Sequence, residues 1–300
     1  MKKVTVLILS IVGFVLIAQP LSAVKINAIK MGSKINVLID GKFFTSYVFA
    51  SDQKYPYLFP LNGPLSGGSV TAMHSEPWPH HASLFFGCDE VNGGNYWHQS
   101  LESGRIISMN AGIVKEGGDS VVITDECIWS RPGALSPIKD TRKITITAPS
   151  STVRQIDFEF TLDMLTDVHF MKTNHSLFSA RVATDLTVQY GGTIINAEGD
   201  KNEEGTYGKR SAWIDYFGKR GNVIEGLAIM QHPSNTWYPS PWFSRNYGFI
   251  SPGPMDWPEN GVEIFVKKGM KLSFRYRVMV HGGDNINAKI AESFAKFINE

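Results

Sequence analysis

Apolar and polar residues alternate along most of this chain with a period of two. The clearest case is residues 153–164, where one face is apolar and the other polar: Ile156, Phe158, Phe160 and Leu162 against Asp157, Glu159, Thr161 and Asp163. A strand with one apolar and one polar face is typical of antiparallel sheet. The wide alternation predicts that this strand lies near the middle of its sheet.

The same period continues on both sides of this segment. Residues 34–39 and 42–49 are separated by Asp40-Gly41, a dipeptide that favours a type I′ hairpin turn because both positions need a positive φ. Further strands are predicted at residues 106–108, 112–114, 121–129, 142–147, 212–216, 226–230, 262–266 and 271–278. Together they predict an all-β protein, a large antiparallel β-sandwich with strands from Val24 to Val280.

Only the C-terminus has helical spacing. The apolar positions that follow it are Ile286, Ile290, Phe294 and Phe297. Asp284 or Asn285 is suited to cap the first turn. We therefore expect one short C-terminal helix. No linker-like segment or internal repeat divides the chain, which predicts a single β-sandwich domain over residues 24–300.

The first 23 residues have the pattern of a secretory signal peptide. A basic start, Lys2-Lys3, precedes an uncharged run over residues 4–18, and Ala23 supplies the small residue at the cleavage position. A membrane anchor is the alternative, but a span needs about 20 apolar residues. No later stretch is long and apolar enough to cross a bilayer. The sequence predicts a periplasmic or secreted protein with no membrane partner after signal cleavage.

Charge and cysteine content narrow the function. Lys and Arg number 29 against 28 Asp and Glu, a formal net charge of +1, which argues against nucleic acid as a partner. A small molecule or a glycan is the expected substrate. Cys88 and Cys127 could form one disulfide in an exported protein. Each also lies in an apolar stretch that would suit a buried thiol.

The polar chemistry is concentrated in three stretches that are poor in regular strand pattern. The first, residues 73–98, holds four of the eight histidines, His74, His80, His81 and His98. The other two surround His175 and His232. Histidine is the side chain best suited to proton transfer near neutral pH. The candidate catalytic residues are His81, His175, His232 and Asp89. The candidate binding residues are His80, Asn92, Trp97, Arg181, Arg210, Asn235, Trp242 and Arg245.

Surface loops on one face of a sandwich can gather such residues. We therefore expect His80 or His81 to meet His175 and His232 in one cleft. The residues expected beside them are Asp89, Asn92, Arg181, Trp242 and Arg245.

Seven ordered motifs resemble the DUF6807 family of bacterial proteins. They are YPYLFPL at 55–61, HHxSLFF at 80–86, DxVNG at 89–93, KT at 172–173, YGKRxAW at 207–213, HPxN at 232–235 and WxxRxYG at 242–248. The resemblance covers nearly all of the chain after residue 23. That family is also labelled PmoA, a methane oxygenase. The label fits this sequence badly, because the particulate methane monooxygenase subunit of that name has several membrane-spanning helices.

A shorter segment is similar to the aldose 1-epimerases. Residues 173–178, TNHSLF, look like the Thr-Asn-His-Ser-Tyr-Phe motif in which those enzymes use the histidine as a general acid. The similarity implies a mutarotase-like supersandwich. It also implies that His175 is the acid and His81 a helper. The partner glutamate of the epimerases has no clear counterpart in this chain.

Three functions remain open. The first is an exported carbohydrate-active enzyme, a hydrolase, lyase or epimerase that uses histidine and carboxylate acid–base chemistry. The second is a non-catalytic glycan-binding β-sandwich, which would use the same tryptophans to stack on sugars. The third is a metalloenzyme with histidine ligands, although no H-x-H or H-E-x-x-H spacing supports it. The pattern specifies no metal, no cofactor and no oligomeric state.

We predict that the exported protein begins at Val24. Intact-mass analysis of the protein from the envelope of its native host should give the mass of the chain cleaved after Ala23. Recovery of the full-length chain in the membrane fraction would contradict the signal-peptide interpretation.

Overall fold

The computed structural model describes residues 24–173, 176–254 and 262–300. The predicted signal peptide, residues 1–23, and the candidate acid His175 lie outside the described residues. Within the described ranges, no helix has both the length and the apolar character needed to span a membrane.

Strands form about half of the described chain. In chain order they are β1 (Ile26–Met31), β2 (Lys34–Ile39), β3 (Lys42–Val48), β4 (Tyr57–Leu58), β5 (Leu84–Val91), β6 (Gly94–Tyr96), β7 (Arg105–Ser108), β8 (Gly112–Lys115), β9 (Gly117–Gly118), β10 (Ser120–Ser130), β11 (Ile138–Ser150), β12 (Val153–Met164), β13 (Val168–Phe170), β14 (Leu177–Arg181), β15 (Thr193–Asn196), β16 (Trp213–Arg220), β17 (Val223–Gln231), β18 (Trp242–Arg245), β19 (Phe249–Pro252), β20 (Ile264–Val266) and β21 (Lys271–Gly282). The α-helices are α1 (Asn202–Thr206) and α2 (Ile290–Phe297), and short 3-10 turns occupy Leu101–Ser103, Thr184–Leu186 and Val188–Tyr190.

The strands form two antiparallel sheets. The first has the order β18-β19-β14-β5-β4-β3-β2-β1-β9, with β6, β13 and β20 attached at its side. The second has the order β15-β16-β17-β21-β12-β11-β10-β7, with β8 beside β10. The predicted all-β class with two large antiparallel sheets is confirmed. The strand expected near a sheet centre is β12, which has β11 on one side and β21 on the other.

The apolar faces of the two sheets pack on each other. Phe86 of β5 stacks on Phe160 of β12 with ring centroids 4.4 Å apart, and Phe178 of β14 stacks on Tyr276 of β21 at 4.5 Å. Each fully buried ring contributes about 1.5–3 kcal/mol of hydrophobic stabilisation. Strand β5 carries the candidate Asp89. It is therefore held in place by packing against the facing sheet as well as by pairing within its own sheet.

The inter-sheet core also contains buried charges. The Asp140 carboxylate accepts hydrogen bonds from the Arg142 guanidinium at 2.6 and 3.1 Å and from the Trp129 indole at 2.7 Å. The Tyr47 hydroxyl donates to Asp125 at 2.7 Å, which links the first sheet to the second. Burial raises the pKa of Tyr47 well above its usual value. These contacts supply the donors that a buried carboxylate requires.

The C-terminal helix begins later than the spacing predicted. Helix α2 starts at Ile290, whereas Ile286 is exposed and precedes it. Asp284 does accept backbone hydrogen bonds, but from Ile286 and Asn287 in the turn before the helix. The helix packs on the outer face of the second sheet, where the Arg277 guanidinium lies 4.6 Å from the Phe297 ring centroid.

The two cysteines are buried free thiols. The Cys88 sulfur lies 3.2 Å from the Ser176 hydroxyl, and Cys127 donates to Asp125 at 3.4 Å. Burial raises the pKa of Cys88 to about 12. Of the two alternatives that the sequence left open, the structure has the unpaired thiols.

We predict that Asp140→Asn lowers the free energy of unfolding by about 3–5 kcal/mol, because it leaves the Arg142 charge buried without its counterion. Urea denaturation measures the change. The matched control is Lys143→Gln, which breaks the exposed pair with Glu159 and should change stability by less than about 1 kcal/mol. Equal, small effects of both variants would contradict this account of the core.

Candidate functional site

The histidine-rich segment forms a pocket against the end of the first sheet. The pocket has a volume of about 340 Å³. Its walls come from the 78–98 segment and from strand β18 with the turn after it: Trp78, His80, His81, His98, Phe243, Arg245 and Tyr247. Residues far apart in the chain therefore share one concave surface, as a small-molecule site requires.

A closed loop holds the adjacent histidines in different directions. The His74 amide donates to the His81 carbonyl at 3.0 Å, and the His81 amide donates to the Trp78 carbonyl at 3.1 Å. The Tyr55 hydroxyl donates to the His80 carbonyl at 2.8 Å. As a result the His80 and His81 rings lie 4.5 Å apart at an interplanar angle of 79°.

The two rings have different surroundings. His81 is buried and stacks on Phe249 with ring centroids 4.2 Å apart. His80 is half-buried, and its ring centroid is 5.5 Å from that of His98. His80 and His98 therefore form the more accessible side of this histidine cluster.

His98 is bonded to a buried carboxylate. Its Nδ1 lies 2.8 Å from Oδ1 of Asp89, and the other oxygen, Oδ2, accepts a hydrogen bond of 2.6 Å from the Thr173 hydroxyl. Asp89 is only 5% exposed, whereas the His98 side chain is 40% exposed. The hydrogen bond to Asp89 raises the pKa of His98, and burial opposes that shift. The Nε2 atom is the ring nitrogen that Asp89 does not engage.

The hairpin between β5 and β6 explains why Asp89 and His98 meet. Asn92 and Gly93 both have positive φ, 50° and 71°, which is the requirement of a two-residue type I′ turn. The chain then returns antiparallel to β5, with Cys88 opposite Tyr96. The turn after β6 is held by Asn95, whose Oδ1 accepts backbone hydrogen bonds at 2.9–3.2 Å from residues 97–99.

Aromatic rings form one wall of the pocket. Trp78 is 41% exposed, and its ring lies 6.0 Å from that of Tyr247. The Arg245 guanidinium lies 5.6 Å from the Tyr247 ring centroid, and its Nε is 3.0 Å from Oε1 of Glu203 on α1. Glu203 lies in α1, so this short helix orients the arginine.

Arg181 lies behind the aromatic wall. Its side chain is buried, with the guanidinium carbon 4.9 Å from the Tyr247 ring centroid. Burial lowers the pKa of Arg181. It does not line the pocket, so it acts on the site through the position of Tyr247.

A second pocket of about 250 Å³ adjoins the first. Its walls are Asp52, Gln53, Lys54, Tyr55, Tyr57, His74, His80, Ala82, Trp97, His98, Gln99, Ser100 and Leu101. His80 and His98 line both pockets. The Lys54 ammonium donates to the carbonyls of Asn95 and Ser100 at 2.8 and 2.7 Å, and burial lowers its pKa to about 8. Lys54 therefore ties the segment that carries His98 to the rest of the site.

The structure brings together only part of the predicted set. His80, His81 and Arg245 line the first pocket, and Asp89 reaches it through its contact with His98. Arg181 lies behind Tyr247, and the buried Trp97 lines the second pocket. The remaining described candidates make structural contacts elsewhere. His175 lies outside the described residues.

His232 is not at either pocket. Its Nδ1 is 2.7 Å from the Ser234 hydroxyl, and its Nε2 is 3.0 Å from Arg275. Its ring lies 5.0 Å from Phe297 on α2, which places it beside the C-terminal helix. The expected convergence of His232 with the His80–His81 loop is therefore absent from the described residues.

Four other candidates have backbone-supporting roles. Asn92 accepts from the His169 amide at 2.7 Å, and Asn235 accepts from the Arg275 amide at 2.6 Å. The Trp242 indole donates to the Ser211 carbonyl at 2.9 Å, and Arg210 donates to the Pro239 carbonyl at 2.7 Å. None of these four side chains lines either of the two pockets.

Sequence reasoning did not select His98, Trp78 or Tyr247 as site residues. The clue for His98 is the Asn92-Gly93 dipeptide, which predicts a hairpin that folds His98 back toward Asp89. Trp78 and Tyr247 lie in loops, where no periodicity indicates direction. Among the described residues, no group of three or more His, Cys, Asp or Glu side chains is arranged to hold a metal ion.

Comparisons with solved structures give low similarity over most of the chain. A GalM/aldose epimerase homologue from C. elegans has a TM-score of 0.35 and 8% identity, with 87% of this chain and 99% of that chain covered. A galactose mutarotase related enzyme from Lactobacillus acidophilus has a TM-score of 0.32 and 10% identity, with 85% and 97% covered.

A kojibiose phosphorylase from the human microbiome, itself named as putative, has a TM-score of 0.35 and 9% identity. It is matched over 86% of this chain but 32% of its own length, so this chain spans about a third of that protein. No curated protein sequence matches the chain.

The comparison with protein families is specific. Residues 34–295 match one family model, whose description is a family of unknown function. That description gives no support to the methane oxygenase label. Because the match covers most of the chain and both sheets, this protein belongs to the DUF6807 family.

Proposed function

We propose that this protein is an enzyme that acts on a sugar or glycoside by acid–base catalysis, with His98 as the proton-transferring group. The observation that carries the proposal is the 2.8 Å contact between His98 Nδ1 and the buried Asp89 carboxylate, at a position where two pockets meet. A carboxylate that fixes one imidazole nitrogen orients the other toward its substrate.

The roles of the two groups follow from their burial. Asp89 is buried and bonded to both His98 and Thr173, so it positions His98 and stabilises the imidazolium. His98 is exposed enough to reach a ligand. Protonated, it can donate a proton from Nε2 to a sugar oxygen, and neutral, it can accept one from a hydroxyl group. The raised pKa of His98 keeps the acid form present closer to neutral pH.

The walls of the first pocket suit a polyhydroxylated ring. Trp78 and Tyr247 offer flat apolar surfaces for the C–H face of a sugar. Arg245 and His80 offer hydrogen-bond donors at the same pocket. A few polar groups on a mostly aromatic lining are the usual composition of a small-molecule site. We retain the prediction that the protein is exported. Export would give the protein access to extracellular or periplasmic glycans.

We predict that His98→Gln lowers kcat by at least about 100-fold, the usual contribution of a general acid or base. Substrate affinity should change little, because glutamine retains polar groups and similar length. Turnover is measured on a panel of aldoses, nitrophenyl glycosides and oligosaccharides by polarimetry and reducing-end release. The matched control is His169→Gln, since His169 also contacts a carboxylate, Glu263, but lies outside both pockets.

Retention of turnover by His98→Gln would contradict the catalytic role of His98. Sugars that bind to the wild-type protein but are not turned over would favour the non-catalytic glycan-binding function instead.

We also predict that Asp89→Asn lowers the pKa of His98. The charged hydrogen-bond partner that raises this pKa is lost, whereas burial, which lowers it, remains. The Hε1 resonance of His98, followed by NMR between about pH 5 and 9 around the usual histidine value of about 6.5, should titrate at lower pH in the variant. The His169 resonance is the internal control.

The same pKa shift determines how the stability of the protein changes with pH. Because the folded pKa of His98 is raised, the His98–Asp89 contact contributes stability that is fully present below the unfolded pKa of histidine and is lost as pH rises through the folded value. The stability difference between wild type and Asp89→Asn should therefore narrow with rising pH. A difference that widens, or an unchanged His98 titration, would contradict the assigned contact.

A further inference from the structure

We propose that the site holds at least two consecutive sugar units, one in each pocket, with the linkage between them over His80 and His98. This inference rests on the proposed carbohydrate function. It goes further by naming the substrate class, a disaccharide or longer chain, in place of a free monosaccharide.

The two pockets share a wall. His80 and His98 line the 340 Å³ pocket and also the 250 Å³ pocket. Their ring centroids lie 5.5 Å apart, so the two rings form a continuous boundary between the pockets. A ligand that occupies both pockets must cross this boundary. The group at the crossing then lies beside the His98 ring.

Each pocket by itself has an aromatic surface and polar groups that suit one sugar unit. The first has Trp78 and Tyr247 as apolar surfaces and Arg245 as a donor. The second has the half-buried Tyr57 ring and, along its rim, the exposed polar side chain of Gln99. One aromatic surface with polar groups around it recurs in both. A monosaccharide would use only one of them.

Hydrogen bonds hold His80 and His98, the boundary between the two pockets, in place. His98 is fixed by Asp89, and the segment that carries it is fixed by Lys54, which donates to the carbonyls on both sides of His98, at Asn95 and Ser100. His80 is fixed through its carbonyl by Tyr55. A rigid boundary keeps both pockets formed before the ligand arrives, which lowers the entropic cost of binding an extended ligand.

The test compares ligand length. Isothermal titration calorimetry with His98→Gln protein, which prevents turnover, is carried out with four probe series: glucose, galactose, xylose and galacturonic acid, each as monomer, dimer and trimer. We expect at least one series in which the dimer binds about tenfold or more tightly than the monomer. A protein that binds dimers no better than monomers, or binds neither, contradicts the proposal.

One variant assigns the gain in affinity to the second pocket. Tyr57→Ala removes the half-buried Tyr57 ring from that pocket. It should abolish the tenfold gain and leave monomer affinity within about twofold, whereas Trp78→Ala should weaken monomer and dimer alike. The control Tyr190→Ala removes an exposed tyrosine outside both pockets and should change neither affinity.

The outcome is separable from that of the catalytic proposal. Length-dependent binding without turnover in the wild-type protein would refute catalysis by His98 and leave the two-unit site intact. If free monosaccharides are turned over only when His98 is present, and a second sugar unit brings no gain in affinity, the two-unit site is refuted and catalysis by His98 stands.

Discussion

The site depends on the burial of one carboxylate. Asp89 lies on β5, a strand fixed in the core by the stacking of Phe86 on Phe160, and it is nearly inaccessible to solvent. A buried carboxylate is costly unless donors surround it. Asp89 obtains donors from His98 after the β5–β6 hairpin and from Thr173 after β13. The hydrogen bonds to this carboxylate bring the segments of His98 and Thr173 together, and they set the direction of the His98 ring.

The remaining walls of the site are built on the same edge of the first sheet. Strand β18 pairs with β19, β19 pairs with β14, and β14 pairs with β5. This order places Arg245 and Tyr247 against the histidine loop. The two layers of the sandwich serve different purposes. The inter-sheet core, with its rings and the Asp140–Arg142 pair, holds the strands, and the loops at one end present the polar side chains.

The fold could be predicted from the sequence further than the site could. The alternation over residues 153–164 predicted both the first and the last residue of β12. Asp40-Gly41 predicted the hairpin between β2 and β3. Periodicity could not show where His232 goes, because its position depends on Arg275 and Phe297, which approach from β21 and α2. Histidines in loops were recognised as a group, but only the hairpin at Asn92-Gly93 determines which of them contacts Asp89.

The most direct test of the account is a crystal structure of the His98→Gln protein with a bound disaccharide from the series that binds most tightly. The account predicts one sugar ring against Trp78 and Tyr247, and an oxygen of the ligand within hydrogen-bond distance, about 2.6–3.2 Å, of the side-chain amide at position 98. A disaccharide bound elsewhere on the protein, or one whose atoms all lie out of reach of position 98, would contradict it.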